Sequence, residues 1–178
     1  QGYRVLGVGR RVLRSDEALS LASEQAMTFL GFLTFRDPPK PGIARTLREL
    51  SALGVSVRVI TGDNRLAARH TASSVGLNAQ QVLTGDDVRA LDDDALAERV
   101  RQVEVFAEID PVQKERIVRA FQRAGYDVGF LGDGINDAPG LHAADVGISV
   151  ETAVDVAKDA ASIVLLDKDL DVLLEGVR

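Results

Sequence analysis

Apolar residues in this chain fall into short runs separated by amphipathic stretches, and from residue 42 onward the two alternate regularly. Before that, residues 3–13 (YRVLGVGRRVL) and 27–35 (MTFLGFLTF) have strand character, and the polar stretch between them predicts a short helix or loop. Asp37-Pro38-Pro39-Lys40-Pro41 follows, with three prolines in four positions. Proline fixes φ and pushes its predecessor toward extended conformations, so this segment reads as a stiff connector at a domain boundary.

Beyond the connector, helices are predicted near 42–53, 64–75, 93–103, 111–124, 137–143, 152–159 and 169–177. Strands are predicted at 55–60, around 82–83, and at 103–109, 126–131, 146–150 and 162–166. Strands rich in Val, Ile and Leu that alternate with helices predict an α/β fold, a parallel sheet covered by helices on both faces. Ligands of such sheets bind beyond the carboxyl ends of the strands, near the switch in strand order. The residues that follow each strand are therefore the place to look for chemistry.

Composition narrows the partners. With 178 residues, 46% of them hydrophobic and 27% charged, the chain can bury a core of ordinary size. A formal net charge of −6 and the lack of a basic run argue against a general nucleic-acid binder. Cysteine is absent, which excludes disulfides, thiolate nucleophiles and cysteine-ligated zinc, and His70 and His142 are too isolated to form a metal cluster. The longest apolar runs, around Ile163-Val164-Leu165-Leu166, have strand length, well short of the roughly 20 residues that cross a bilayer. The chain is expected to be soluble as it stands. Beginning at Gln1 without a signal-like segment, it also reads as a piece excised from something longer.

Two strand ends stand out. Thr61-Gly62-Asp63-Asn64 follows the run ending at Ile60, and Gly132-Asp133-Gly134-Ile135-Asn136-Asp137 follows the run ending at Leu131, so both sets belong on one edge of the sheet. A single Asp at such a turn ordinarily caps the next helix, as Asp137 would before Ala138-Pro139, and as Asp63 or Asn64 would before the helix near 64–75. Capping leaves Asp133, between its glycines, without a role. Two carboxylates so close together repel unless a cation lies between them, and oxygen ligands of this kind suit Mg²⁺. Thr61 offers a hydroxyl and Gly62 an amide to a phosphate, helped by the free N–H groups of the following helix.

Thr84-Gly85-Asp86 repeats the Thr-Gly-Asp pattern, but it runs into Asp87, Asp92, Asp93 and Asp94 and reads as a solvated loop and helix start. In Asp110-Pro111-Val112-Gln113-Lys114 the aspartate and glutamine have capping-box spacing, which puts Lys114 in or next to the first turn, where a cation needs a compensating anion. Glu108, Glu115 or solvent could meet that need. Alternatively, Lys114 reaches the edge where Thr61 and Asp133 meet and neutralises a phosphoryl oxygen or an aspartate there. A hydroxyl, an ammonium and Mg²⁺ carboxylates at strand ends are the equipment of phosphoryl transfer. No nucleophile accompanies them, since the chain has neither a G-x-S-x-G turn nor a P-loop.

The ordered series TGD, DPVQK and GDGIND, together with Asp37-Pro38-Pro39 and Phe106-Ala107-Glu108, resembles the haloacid-dehalogenase-like phosphorylation domain of P-type cation-transporting ATPases over nearly the whole chain. GDGINDAPGLHAADVGIS is the most specific piece. The wording LGFLTFRDPPK, FAEIDPVQKERIV and DVGISVETAVDVAKDAASIVLL is most similar to the magnesium-translocating branch. Gly140 and His142 stand where relatives often have alanine and a basic residue.

The resemblance implies a Rossmann-like fold in which residues 1–36 are the last strands of a nucleotide-binding domain, 37–41 a hinge and 42–178 the phosphorylation domain. It implies that Thr61, Gly62 and Asp63 form the phosphoryl-contacting motif and that Lys114 bridges phosphoryl oxygen and nucleophile. It makes Asp133 the Mg²⁺ ligand, Asn136 and Asp137 the groups that complete and orient that site, and Asp37 the hinge aspartate near the nucleotide. Mg²⁺, and ATP in the parent protein, are the implied cofactors. The parent would lie in the cell membrane with this segment on its cytoplasmic side.

The DKTGT segment, whose aspartate is phosphorylated in that family, is absent from the chain. It is expected to supply the central strand between those ending at Thr61 and Gly132. Either these two neighbours pair, or dimerisation or swapping fills the gap. Two other readings stay open: a soluble phosphatase of the same superfamily that has likewise lost its first strand, and a non-catalytic Mg²⁺- or phosphate-binding module.

Overall fold

The two apolar runs at the start of the chain pair with each other. In the computed structural model, which describes residues 4–13, 16, 20–35, 38–167 and 169–177, β1 (Arg4–Arg10) and β2 (Thr28–Phe35) form an antiparallel hairpin, with a 3-10 turn at Leu21–Glu24 between them. The chain divides into two units, Gln1–Pro38 and Pro39–Arg178. Asp37, the expected hinge aspartate, lies outside the described residues.

The second unit alternates helix and strand. Its elements are α1 (Ile43–Ala52), β3 (Val59–Ile60), α2 (Arg65–Ser74), β4 (Val82–Thr84), α3 (Gly85–Ala90), α4 (Asp93–Val100), β5 (Val105–Ala107) and α5 (Pro111–Arg123). After these come β6 (Gly129–Leu131), α6 (Ala138–Ala143), β7 (Val146–Val150), α7 (Asp155–Ala160), β8 (Ile163–Leu165) and α8 (Leu170–Val177). All the strand pairs in this unit are parallel and helices flank them, as the alternating pattern predicts for an α/β fold. Local chemistry sets the helix starts. Side-chain oxygens of Asn64, Asp92 and Asp110 accept from the N–H of Ala67, Ala95 and Gln113, and Pro111 occupies the first turn of α5. Past the other end of α5, Gly125 takes a φ of 90°, which lets the chain turn toward β6.

Of the outcomes left open for the missing central strand, pairing of its two neighbours is not the one observed. The strands form two three-stranded sheets, β3-β5-β4 and β6-β7-β8, and among the described residues β3 and β6 are outer strands that do not pair with each other. The Val59 and Thr61 N–H groups point to Glu104 and Phe106 carbonyls, so alternation along the strand turns those of Ile60 away from β5. One helix holds the halves together. Ile117 and Ala120 of α5 pack into a core with Leu83, Val88, Leu96 and Phe106, while Val118 packs into a second core with Phe130, Leu141, Val150 and Leu165. Ile60 touches both cores, and burying Ile117 and Val118 is worth about 1.5–3 kcal/mol each.

One reading needs correction at α3. Thr84-Gly85-Asp86 is the helix start expected of it but not a solvated loop, because Gly85 and Val88 are buried and Thr84 forms a capping box with Asp87. The acidic residues that suggested solvent stand in a first helical turn, where the dipole favours them.

Candidate active site

The predicted residues converge where the two half-sheets face each other. A cavity of about 400 Å³ is lined by Thr61 and Gly62 from the end of β3, Lys114 from α5, and Gly132, Asp133 and Asp137 from the turn after β6. Ile60, Leu131, Val150 and Leu165 give it apolar walls, and Lys40 and Asp169 add charge at its border.

The Thr61 turn is held by the loop after β5. The Thr61 N–H donates to the Phe106 carbonyl (2.9 Å) and its own carbonyl accepts from Ile109 (3.1 Å). Its hydroxyl accepts from the Asp63 N–H at 3.0 Å, which orients the side chain. Asn64 caps α2, so of the two capping candidates it is the carboxamide that serves. Asp63 and Asn136, both predicted for the site, do not line the cavity, and Asn136 is exposed on the 3-10 turn Ile135–Asp137.

Lys114 finds its anion across the cavity. Its Nζ lies 2.5 Å from Asp137 Oδ1, with the two side chains only 11% and 15% exposed. The candidates nearer in sequence are engaged elsewhere: Glu115 pairs with Arg119 at 2.8 Å, and Glu108 Oε1 accepts from the Arg65 N–H at 3.0 Å. Asp137 does not cap α6 with its side chain. Its Oδ2 accepts from the Asp133 N–H (3.2 Å) and the Gly134 N–H (3.0 Å), closing the turn on itself and leaving Asp133 exposed at the mouth.

Two residues have roles in this arrangement that differ from the sequence reading: Glu108 was named there only as a possible partner of Lys114, and Ser149 was not singled out. Glu108 has a left-handed backbone (φ 59°), and its N–H donates to the Asp63 carbonyl at 2.9 Å, so a strained residue clamps the Thr61-Gly62-Asp63 turn. Ser149, fully buried on β7, donates its hydroxyl to the Gly132 carbonyl at 2.9 Å, while the Gly132 N–H donates to Ile148 at 3.0 Å. The peptide leading into Asp133 is thus held on both sides. A polar residue inside the apolar run Val146–Val150 was the available signal for Ser149, whereas nothing in the sequence marks Glu108 as the residue that holds the Thr61 turn.

The donor set suits a hard cation that keeps other ligands. Among the described residues no three His, Cys, Asp or Glu side chains gather as a metal cage. One exposed carboxylate beside a held one is what Mg²⁺ uses when phosphate and water complete its shell. Away from the cavity, Asp87 is held below the usual carboxylate range by the Thr84 N–H and then its hydroxyl, and Asp145 chiefly by the Val128 N–H.

A family model described as haloacid dehalogenase-like hydrolase matches residues 4–145. Among curated proteins, the chain is 47% identical over 180 residues to a magnesium-transporting ATPase, P-type 1, of Salmonella typhimurium, covering 99% of the chain and 20% of that protein. A protein of the same name from Escherichia coli K12 is 47% identical over 178 residues, with the same coverage. Calcium-transporting ATPase type 2C member 2 of Rattus norvegicus is 38% identical over 154 residues, 85% of this chain and 16% of that protein. The chain spans between about a sixth and a fifth of the length of the curated relatives it matches.

Proposed function

This chain belongs to the haloacid dehalogenase-like hydrolase family, and on that premise we propose that it is the phosphorylation-domain segment of a P-type cation-transporting ATPase, supplying the phosphoryl- and Mg²⁺-binding half of an active site. The observation that carries the reading is the cavity between two strand ends that are unpaired among the described residues, lined by Thr61, Gly62, Lys114, Asp133 and Asp137. The aspartyl nucleophile comes from a segment outside residues 1–178, which adds a strand between β3 and β6. Unpaired edges with apolar side chains, Ile60 partly buried and Leu131 44% exposed, are the surface such a strand would cover.

In the completed site the Thr61 hydroxyl and the Gly62 amide bind phosphoryl oxygens. Lys114 neutralises charge between phosphoryl group and nucleophile, and its pairing with Asp137 keeps the ammonium in place until a phosphoryl group competes for it. Asp133 holds Mg²⁺, with Asp137 completing the site. Asp63 and Asn136 support the two turns from outside the cavity. When bound, Mg²⁺ supplies charge neutralisation at the phosphoryl oxygens.

The parent protein, on this reading, hydrolyses ATP through an aspartyl phosphate and couples it to cation movement across a membrane, with this segment on the cytoplasmic side and Asp37 near the nucleotide. Its ion is magnesium, after the names of the relatives at 47% identity. No helix of the described residues is long and apolar enough to cross a membrane, so the transport path would lie in other segments.

Two measurements test this. Incubated with labelled ATP and Mg²⁺, the chain alone gives no acid-stable phosphoaspartate; clear incorporation would overturn the assignment of the nucleophile to another segment. A peptide with an apolar strand ending in Asp-Lys-Thr-Gly-Thr slows amide exchange at Ile60 and Leu131 while leaving the outer strands β4 and β8 unchanged. Protection at β4 or β8 instead would place the added strand elsewhere.

A further inference from the structure

The start of α5 is gripped from the side by α3, the helix that grows from the second Thr-Gly-Asp turn. Gln113, only 7% exposed, uses both ends of its amide: Oε1 accepts from the Asp110 N–H (3.1 Å) and Nε2 donates to the Gly85 carbonyl (2.8 Å). One turn further on, the Arg116 guanidinium donates to the Val88 carbonyl and the Leu91 carbonyl, each at 2.6 Å, and to Asp93 at 3.0 Å. Residues 113 and 116 thus hold opposite ends of α3, and Lys114 stands between them in the sequence. Gly85 allows the close approach, since a Cβ there would lie 2.4 Å from the Glu108 carbonyl oxygen and 2.7 Å from Gln113 Oε1.

Apolar packing between helices is non-directional and tolerates small slides along the axis, whereas hydrogen bonds at two fixed heights do not. We propose that Gln113 and Arg116, seated on the Thr84-Gly85 turn and α3, are positioning residues that set the depth of α5 and so the reach of Lys114 Nζ to Asp137. The second Thr-Gly-Asp motif is then a mechanical seat for the cation of the site, not a second phosphate loop. Its catalytic meaning rests on the reading of Lys114 as a phosphoryl-binding group. The geometric part stands apart from that reading, because a displacement of about 1 Å at the start of α5 would already loosen a 2.5 Å ion pair.

The test reads Lys114 directly. The chain is treated with an amine-acylating reagent and labelling of Lys114 is followed by peptide mass spectrometry, with Lys158 on α7 as internal reference. Gln113→Leu, which keeps bulk and removes both bonds, is expected to speed Lys114 labelling about five- to tenfold, and Arg116→Lys to do so by a smaller factor. Val105→Ala, in the buried core that α2 shares with β4 and β5, serves as a control of matched thermal destabilisation and leaves Lys114 within about twofold of wild type. Unchanged labelling in both Gln113→Leu and Arg116→Lys, or an equal rise in Val105→Ala, overturns the proposal. If Gln113→Leu does not fold, Arg116→Lys against Val105→Ala decides it. A failure to form a phosphoaspartate in the completed site would contradict the function proposed above while leaving this result standing.

Discussion

Gly132→Ala places one methyl group where the account says there is no room. Built on the backbone, its Cβ lies 2.4 Å from Asp137 Cβ, 2.8 Å from Cγ and 3.1 Å from Oδ2. Gly132 cannot retreat, because its N–H is bonded to Ile148 and its carbonyl to the buried Ser149 hydroxyl. Asp137 must move, and with it go the ion pair to Lys114 and the bonds from the Asp133 and Gly134 N–H groups. Overpacking costs about 1–3 kcal/mol and loosening a mostly buried ion pair adds to it, for a total of about 2–4 kcal/mol. In a unit of this size the melting temperature falls by roughly 4–16 °C. Far-UV circular dichroism reads the loss, since among the described residues all eight α-helices belong to residues 43–177. Gly129→Ala, at the other end of β6, is the control: its Cβ meets nothing closer than 3.9 Å, and the change stays within about 1 kcal/mol of wild type in either direction. Equal stability of the Gly132→Ala and Gly129→Ala variants, with Lys114 equally protected from acylation, would refute the role given to Asp137.

Gly140→Ala drives a Cβ to 2.8 Å from Phe130 Cζ and 2.9 Å from Cε1, so it should cost about 1–3 kcal/mol, and adding Phe130→Leu should recover part of that loss in a double-mutant cycle measured by urea unfolding. Additive effects of the two changes would contradict the packing described. Asp87→Asn should lower the melting temperature at pH 7, because the carboxylate accepts from the Thr84 N–H and hydroxyl, both at 2.8 Å, and these hold its pKa below the usual value. A depressed folded pKa means that the stabilisation is present above the unfolded carboxylate pKa and fades as pH falls through the folded one. The gap between wild type and Asp87→Asn should therefore close below the ordinary carboxylate range; a gap that persists in acid would show that the charge is not its source.

Much of this arrangement could be read from the chain itself, for identifiable reasons. The order of strands and helices follows from periodicity, and the rule that ligands bind beyond strand ends was enough to bring Thr61, Lys114 and Asp133 together on paper. What escaped depends on contacts between distant residues. Asp137 has the sequence context of a cap, yet its carboxylate turns inward because Gly132 leaves a space and Lys114 fills the far side. The acidic residues from Asp86 to Asp94 resemble a solvated loop, but they stand at the starts of two helices, Asp86 and Asp87 in the first turn of α3 and Asp92 to Asp94 at the start of α4. No local pattern announces that Glu108 takes a left-handed backbone. Nor does any pattern within β3 or β6 reveal that their outer edges go unpaired, since pairing belongs to the partner as much as to the strand.

The central claim is that this chain holds one half of a phosphoryl-transfer site and that an aspartate-bearing strand supplies the other. It is tested most directly by adding the Asp-Lys-Thr-Gly-Thr strand in trans, with labelled acetyl phosphate and Mg²⁺, and measuring label that survives acid and is released by hydroxylamine. The account predicts Mg²⁺-dependent incorporation on the added aspartate, lowered at least about a hundredfold by Asp133→Asn or Lys114→Ala. Incorporation that proceeds equally well with both substitutions would contradict it.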